Sequence, residues 1–401
     1  MTSSCLRYPA MLLAFLVLAS MANAMDGATF LAINKERLTE EGVQIAVGSI
    51  VDGEPGSFSL LDVSVTLEAD QPPMTIDRLE VTNPQEIGDE LVVERIGYFG
   101  ISSLRRSPSG EELLIQVESV TGENFVMQTI GDTRGFLPVE GAARLTVRNI
   151  KLTRDGKPLG DIPLVESSTT RLDGTQTYRF ATQALDIRPA VSAIDSPGFV
   201  AQMNATGLSE PVLNILLKAE WDAETGRIAI EEYSLDMPDA MRIDLSMMLE
   251  GITVDVSREI SDARKERQQA IAINPDALPA ASQRMMSALG ELKLSQARLK
   301  VTNHALASKL LDVQAAAMGV SRADMVMMVP TMVGGMLESL GSPELVEKAS
   351  GALSKFVSDP RNFTITLTPR EPLAFTQIMG TAISGPQTLP PLLGLDFSAN
   401  E

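Results

Sequence analysis

Residues 213–249 read LNILLKAEWDAETGRIAIEEYSLDMPDAMRIDLSMML, and this stretch decides the fold. Apolar and polar residues alternate in three segments, Leu213–Trp221, Arg227–Asp236 and Met241–Leu249, and short turns rich in Asp, Gly and Pro separate them. Alternation with a period of two is typical of a strand with one buried face. The stretch therefore predicts three antiparallel strands joined by tight turns.

A wider pattern surrounds these strands, because apolar residues recur at i, i+2, i+5 and i+7. The spacing occurs six times, in copies that begin at Phe58, Met74, Leu91, Leu145, Ile228 and Leu292. Since strand side chains alternate between faces, the additional residue would turn the second apolar pair to the wrong side unless a bulge or kink restores the phase. We therefore predict bent strands that curl an antiparallel sheet into a trough with an apolar inner face. The alternative is an irregular strand pair joined by a tight corner, with part of the spacing coincidental.

The apolar period changes after Gly251 from two toward 3.6, which predicts helices at about residues 258–270 and 276–289. A strand at 291–302 follows, and further helices extend to about residue 358. The predicted fold class is therefore α+β. It combines a twisted or curled antiparallel β-sheet with bulged strands and a helical segment, about 258–358, packed on or beside the sheet.

The segment Met325–Leu337 is the most apolar part of the chain outside its N-terminus, and it has two interpretations. A Met-lined surface adapts to acyl chains or to several partners. A buried helix packed on the open face of the sheet is the favoured alternative. If a ligand surface exists, we expect helix and strand positions to line it together: Met325, Met328, Met332, Met336, Leu145, Val147, Ile228 and Ile230.

The N-terminal residues 1–24 have the order of a secretory signal, with Arg7, an apolar run and a small-residue site that ends at Ala24. We expect cleavage after Ala24 and a periplasmic or secreted protein. The alternative is an uncleaved anchor, but the apolar run is shorter than the roughly 18 residues of a membrane span. No stable span is therefore expected after cleavage. The remaining chain is divided into a β-rich half at 25–185 and a β-rich half at 186–401, which carries the helical segment and a terminal strand and helix.

Composition argues against most chemistry. Cleavage would remove Cys5, the single cysteine, and Arg7, which makes the formal charge one unit more negative than the −19 of the full chain. His304 is the single histidine, so a two-histidine metal site is excluded. We predict no catalytic, cofactor-binding or metal-binding residues and no enzyme; a hydrolase whose carboxylates are distant in sequence is the least favoured alternative. The acidic surface repels phosphates, so no nucleic-acid partner is expected.

Three segments resemble a known family: MTIDRLEV at Met74–Val81, LTVRNIKL at Leu145–Leu152 and GSFSLLDVSV at Gly56–Val65 are similar to β-rich parts of AsmA-like envelope proteins of Gram-negative bacteria. The closing stretch from Phe363 to Leu373 also looks like a group of uncharacterised secreted proteins of alphaproteobacteria. The resemblance covers about half of the chain and implies a curved, lipid-accommodating β-groove with a role in envelope homeostasis. AsmA-like proteins are usually membrane-anchored and often longer, so a soluble carrier or a non-transport relative is the consistent variant.

Two functions follow from these observations. The first is a non-enzymatic envelope protein that binds lipid or another apolar ligand in a β-groove. The alternative is a structural or protein-interaction module of the cell envelope, with a protein partner and no small-molecule ligand. An open apolar trough in the structure favours the first function, whereas helices that cover the apolar face completely favour the second.

Overall fold

The computed structural model describes residues 25–40, 43–66, 71–87, 90–106, 110–128, 141–172, 174–186, 205–206, 211–272, 278–290, 292–337 and 343–401. These residues fold mostly into antiparallel β-sheet with a smaller helical share, as the sequence predicts. They form two compact units that divide between Thr169 and Thr170, whereas the sequence analysis divides the chain after residue 185. The predicted signal segment, 1–24, lies outside the described residues.

The described residues of the first unit form one helix and eight strands, the last of which continues three residues past the boundary. Their bounds are α1 (Gly27–Glu40), β1 (Gln44–Ala46), β2 (Ser49–Asp52), β3 (Ser57–Thr66), β4 (Met74–Ile87), β5 (Glu90–Arg106), β6 (Glu112–Gln128), β7 (Gly141–Arg154) and β8 (Lys157–Leu172). Each strand from β3 to β8 pairs with its neighbour in the chain, and β1 and β2 both pair with β3. Phe30 of α1 is buried with its ring 5.2 Å from the Phe58 ring, so this helix, which the sequence analysis missed, packs on the core of the unit.

The repeated spacing marks the residues of this core. Every residue of the copies that begin at Phe58 and Met74 is buried in one hydrophobic cluster. The copy at Leu145 packs on the same cluster, with Val147 buried and the other three residues partly buried. The prediction that the spacing keeps its apolar residues on one side is therefore confirmed in the first unit.

In the first unit, the additional residue of each copy lies at a kink that neighbouring strands share. Between β3 and β4 the register passes from Leu61–Arg78 to Val63–Ile76, which leaves Asp62 and Asp77 as additional residues at the same level. Because both strands gain a residue, their pairing continues in step. The strands β5, β6 and β7 also have an additional residue at this position. We call the five additional residues the first kink level: Asp62, Asp77, Gly100, Glu118 and Asn149. A second kink level contains Asn83, Glu94 and Asn124.

Alternate strands have a left-handed backbone at the first kink level. The angle φ is +54° at Asp62, +65° at Gly100 and +50° at Asn149. Asp and Asn tolerate this conformation better than other residues with a side chain. Glycine is required at position 100, because a Cβ atom there would overlap the Asp77 carboxylate. The sequence therefore places Asp, Gly and Asn where the kinks need them.

The kinks are joined by amide–carboxylate hydrogen bonds between neighbouring strands. Asn83 Nδ2 donates to Glu94 Oε2 at 2.6 Å, and Asn149 Nδ2 donates to Glu118 Oε2. These bonds connect β4 to β5 and β7 to β6. They fix the side chains of the additional residues outside the core, so the polar residues between the apolar pairs have a structural role.

The second unit contains the remaining strands and helices. Their bounds are β9 (Thr175–Asp186), β10 (Val212–Asp222), β11 (Arg227–Met237), β12 (Met241–Glu250), α2 (Val254–Ala272), α3 (Leu278–Gly290), β13 (Lys293–Asn303), α4 (Leu306–Met318), α5 (Arg322–Leu337), α6 (Pro343–Ser358), β14 (Asn362–Leu367), β15 (Leu373–Ala374), α7 (Phe375–Ser384), a 3₁₀ turn (Pro386–Thr388), α8 (Leu389–Leu393) and β16 (Leu395–Ala399). The sheet order is β9-β10-β11-β12-β13-β14-β16, and β15 also pairs with β13. The three strands and the helical segment predicted from the sequence are confirmed.

Bulges in the second unit add a residue to one strand of a pair. The register between β10 and β11 passes from Lys218–Glu232 to Ala219–Ile230, so Glu231 is additional in β11. Ser295 is additional in β13 opposite β12 in the same way. Neither Glu231 nor Ser295 has a positive φ. These bulges fall inside the copies of the spacing at Ile228 and Leu292, where the sequence predicts them.

Two groups of helices accompany this sheet. The buried Trp221 of β10 forms a cluster with Ile260 of α2 and Ala288 of α3, and its Nε1 donates to the Ile252 carbonyl oxygen at 2.7 Å. A second cluster joins α4, α5 and α6 through buried residues that include Met325. The helical segment therefore packs partly on the sheet and partly on itself.

Candidate ligand-binding site

Cross-strand pairing in the second unit aligns apolar residues in rows, because paired residues of antiparallel strands point their side chains to the same side. The first row is Phe180, Leu217, Tyr233, Leu245, Leu299, Ile365 and Phe397. The second row is Ile215, Leu235, Ile243, Val301, Phe363 and Ala399. The third row is Tyr178, Ala219, Ile230, Met247, Ala297, Leu367 and Leu395. The fourth row is Trp221, Ile228, Leu249, Leu294 and Leu373. Together these rows are the apolar face.

Most of the apolar face is only half-buried. Every residue of β12 is half-buried, although this strand lies in the interior of the sheet with a partner on each side. Leu217 and Tyr233 of the first row are half-buried as well. In the first unit, by contrast, Leu60 and Val81 are 0% exposed. A continuous apolar surface in partial contact with water is typical of a binding surface.

Helices cover two margins of the apolar face. The cluster of Trp221 with α2 and α3 covers the fourth row. At the β14–β16 side, the ring of Phe356 in α6 lies 5.9 Å from the ring of Phe363, which in turn lies 6.2 Å from the ring of Phe397. The half-buried part lies between these margins, on β10 to β13. The arrangement is a sheet surface that is closed at two margins and accessible between them.

The opposite side of the same strands is charged. Lys218 Nζ lies 2.8 Å from Glu232 Oε2. Arg242 makes two further ion pairs: its Nη2 lies 2.8 Å from Glu232 Oε1, and its Nε lies 2.7 Å from Asp244 Oδ1. The hydrogen bond from Lys218 holds the pKa of the Glu232 carboxyl below its ordinary value. These residues alternate along the strands with Leu217, Ile243 and other members of the apolar face. An apolar ligand is therefore expected on one side of the sheet only.

A cavity of about 420 Å³ lies between α6 and β16. Phe397 and Ala399 of the apolar face contribute to its wall, and Lys348 and Lys355 lie at it together with acidic side chains. The hydrogen bond to Glu344 raises the pKa of Lys348, whose Nζ also lies 3.6 Å from Asp396 Oδ1. The cavity therefore combines an apolar wall with paired charges, which suits the polar end of an amphipathic molecule.

The residues predicted to line a ligand surface lie in three separate clusters. Ile228 and Ile230 belong to the apolar face, but Ile228 is buried under the helices. Leu145 and Val147 pack in the core of the first unit.

The four methionines of the predicted surface are all on α5, and they differ in exposure. Met325 is buried among the helices, Met328 is half-buried and Met332 is 53% exposed, whereas the side chain of Met336 lies outside the described residues. The structure therefore brings together Ile228 and Ile230 and does not bring the methionines to them.

Several members of the apolar face were not among the residues predicted to line a ligand surface, above all Leu217, Tyr233, Leu245 and Leu299. Each strand shows the signal in its own alternation of apolar residues. The row exists only through the register, which aligns residues that are far apart in the chain. The alternation at Met241–Leu249, read together with its neighbours, was the available signal.

A match to a known protein family lies in the second unit. A family described as "Uncharacterized protein" matches residues 234–400, which is less than half of the chain and lies in the second unit. No match was found among curated proteins. The matched range contains most strands of the apolar face and the helices at its margins.

Two further observations concern chemistry and membranes. Among the residues that the structure describes, no group of three or more His, Cys, Asp or Glu is placed to hold a metal ion. His304 is exposed, with Nε2 3.1 Å from Asp236 Oδ1. No helix within the described ranges combines the length and the apolar character needed to cross a bilayer.

Proposed function

We propose that this protein is a non-enzymatic carrier that binds the acyl chain of a lipid on the apolar face of its second unit. The observation that supports the proposal is the half-buried apolar surface on β10 to β13, between margins covered by helices. Apolar surface that stays in water costs about 25 cal/mol per Å². A ligand that covers this surface would therefore stabilise the protein and be bound tightly.

The dimensions suit an acyl chain. Neighbouring strands lie about 4.8 Å apart, so the first row spans about 14 Å from Leu217 to Leu299. One lipid leaflet contributes half of a hydrocarbon core of about 30 Å, so an acyl chain in a bilayer spans about 15 Å. A chain laid across β10 to β13 would contact one apolar residue per strand. The cavity beside Phe397 lies two strands beyond Leu299, so it would accept the polar end of a lipid that also crosses β14.

We also propose that the protein is exported and that the sheet of its second unit is curved. Export to the periplasm or the exterior, with cleavage after Ala24, follows from the predicted signal at residues 1–24. Bulges at Glu231 and Ser295 would curl the sheet around the ligand and form the predicted trough. The resemblance to AsmA-like proteins agrees with such a groove and stays a prediction. Mass analysis of the protein from its own host should find Met25 as the first residue.

A binding experiment tests the proposed face. The protein is purified in detergent-free buffer and analysed by native mass spectrometry and by lipid extraction. Wild type should carry lipid, whereas Leu245→Gln should carry at least about tenfold less, because the amide side chain loses its favourable contact with the acyl chain. Ser246→Gln is the matched control, since Ser246 is the next residue of β12, is equally half-buried and faces the charged side.

A photo-crosslinking residue at position 245 separates lipid binding from the protein-interaction alternative. In cells, the lipid proposal expects adducts whose mass matches a lipid. Adducts with one defined protein and none with lipid would contradict the proposal and favour an interaction module of the envelope. Ligand-free wild type together with unmodified residue 245 would also contradict it.

A further inference from the structure

The chain between two residues of the apolar face lacks charge altogether. From Leu373 to Leu395 the sequence LAFTQIMGTAISGPQTLPPLLGL contains no Asp, Glu, Lys or Arg, although 21% of the chain is charged. This segment forms α7, the 3₁₀ turn and α8. Surface segments of an acidic protein are normally charged, because charge keeps them in water. The composition of this segment therefore indicates contact with something other than water.

Helix α7 exposes an apolar stripe. Phe375, Met379 and Ile383 are spaced by one turn each and are 37%, 47% and 82% exposed. All ten residues of α7 are described, and none of them is buried. Residues at i, i+4 and i+8 lie on one side of a helix. The other side carries Thr, Gln, Gly and Ser, so α7 is amphipathic without being charged.

The segment borders the apolar face. It begins at Leu373, which pairs with Leu294 in the fourth row, and it ends at Leu395, which pairs with Leu367 in the third row. The Phe375 amide donates to the Leu292 carbonyl oxygen at 3.0 Å, which fixes the start of α7 beside β13. Because α7 lies at the margin of the proposed ligand site, any surface that binds α7 would lie next to that site.

We propose that α7 is a membrane-contact helix, which inserts its apolar stripe into the surface of a lipid bilayer and so places the apolar face next to the lipids that it loads. This inference rests on the proposed function. An interfacial helix binds through its buried apolar area and, where it has cations, through anionic lipids. Since α7 has no cation and the chain carries a formal charge of −19, contact should be apolar and favour uncharged or zwitterionic headgroups.

A second copy of the chain is the weaker candidate for the occupant. A stable protein interface buries about 800 Å² on each partner and contains some 20 residues a side. The stripe has three partly exposed side chains on a helix of ten residues. This surface is too small for a stable dimer, whereas a bilayer needs no complementary shape.

Flotation with phosphatidylcholine vesicles tests the inference on the full-length mature protein. Wild type should float with the vesicles, more strongly with small sonicated vesicles than with large extruded ones, because curved surfaces have more packing defects. The double variant Met379→Ser and Ile383→Ser should bind at least about tenfold more weakly. Gln377→Ser is the control, since Gln377 is exposed on the other side of α7.

The outcomes distinguish this inference from the proposed function. Leu245→Gln should lose bound lipid and keep vesicle binding, whereas the double variant should lose vesicle binding and still bind a short-chain lipid that is added to it in solution. Absence of wild-type flotation, or equal flotation of wild type and double variant, would overturn the membrane-contact role. A dimer in solution that the double variant dissociates would overturn it as well, in favour of a second copy.

Discussion

The two units use the same apolar spacing, but their strands bend in different ways. At the two kink levels of the first unit, both paired strands gain a residue and the register continues in step, as at Asp62–Asp77. In the second unit, a bulge such as Glu231 adds a residue to one strand, and the register shifts. The strands of the first unit bury their apolar residues in a core with α1, whereas β12 in the second unit is half-buried. The spacing therefore specifies where the strands bend. It does not specify whether the apolar side of the strands is buried in a core or stays in contact with water.

The difference is also chemical. Left-handed residues and amide–carboxylate bonds hold the kinks of the first unit, as at Asn149 and Glu118. In the second unit, the bulge residue Glu231 has no positive φ, and the ion pair of Lys218 with Glu232 lies beside it. Left-handed backbone depends on particular residue types, whereas a bulge without it accepts most residues. Substitutions should therefore affect the two units to different extents.

The largest difference is expected for core truncation. Leu60→Ala should lower the free energy of unfolding by about 3 kcal/mol, because it removes a 0% exposed side chain and leaves a cavity. Leu245→Ala should lower it by about 1 kcal/mol in ligand-free protein, since part of this side chain is already in water. Urea unfolding of both variants measures the two losses. Equal losses would mean that the second unit has a closed core, which contradicts the proposed ligand face.

The next largest effect is expected at a kink. Gly100→Ala combines a left-handed backbone with overlap between the new Cβ and the Asp77 carboxylate, so we expect a loss of about 2–3 kcal/mol. Gly110→Ala is the matched control, because φ is +86° there and no atom lies within 4 Å of the new Cβ. The control should lower the free energy of unfolding by about 1 kcal/mol, because only the left-handed backbone is unfavourable there. Similar losses in denaturant unfolding would show that the Asp77–Gly100 contact does not constrain the kink.

The sequence was sufficient for the strands and bends because both are local. Alternation predicts β10 to β12, and the additional residue predicts the bulges at Glu231 and Ser295. Whether a partner strand also gains a residue depends on which strands pair, and this is not a local property. Helix α1 was missed, although Asp26 accepts a hydrogen bond from the Thr29 amide at 2.8 Å and so begins it in the usual way.

The candidate site was less predictable than the fold. Met325 and Met332 have the same residue type on one helix, yet one is buried and the other exposed. Periodicity cannot assign such a difference in a helix that is apolar on all sides. The apolar face arises from the register among eight strands, and only Ile228 and Ile230 of the predicted residues belong to it.

The kinks with a positive φ and the bulges without one should prefer Gly and Ala in opposite order. At Asn83, where φ is +46°, Asn83→Gly should cost about 0.5–1 kcal/mol through loss of the bond to Glu94, and Asn83→Ala about 1 kcal/mol more through strain. At Ser295 the order should reverse, because Gly in a strand without positive φ is less stable than Ala. Both variants at Ser295 lose the hydrogen bond to Glu250 Oε1, so their difference reports the backbone alone. The same order of Gly and Ala at both positions would contradict the distinction.

The smallest effect concerns the ion pairs of the second unit. Because the pKa of Glu232 is lowered in the folded protein, first of all by the hydrogen bond from Lys218, its carboxylate stabilises the fold above the ordinary value of 4.5. This contribution is lost as the pH falls below 4.5 through the lower folded value. Glu232→Gln should therefore destabilise by about 0.5 kcal/mol at pH 7 and by less at pH 3, since a pair near the surface is screened by water. Glu231→Gln, at the neighbouring exposed position, is the control. Urea midpoints at the two pH values measure the change in stability. A loss of equal size at pH 3 and pH 7 would show that the effect of Glu232→Gln is steric. The charged side of the sheet would then contribute little to its stability.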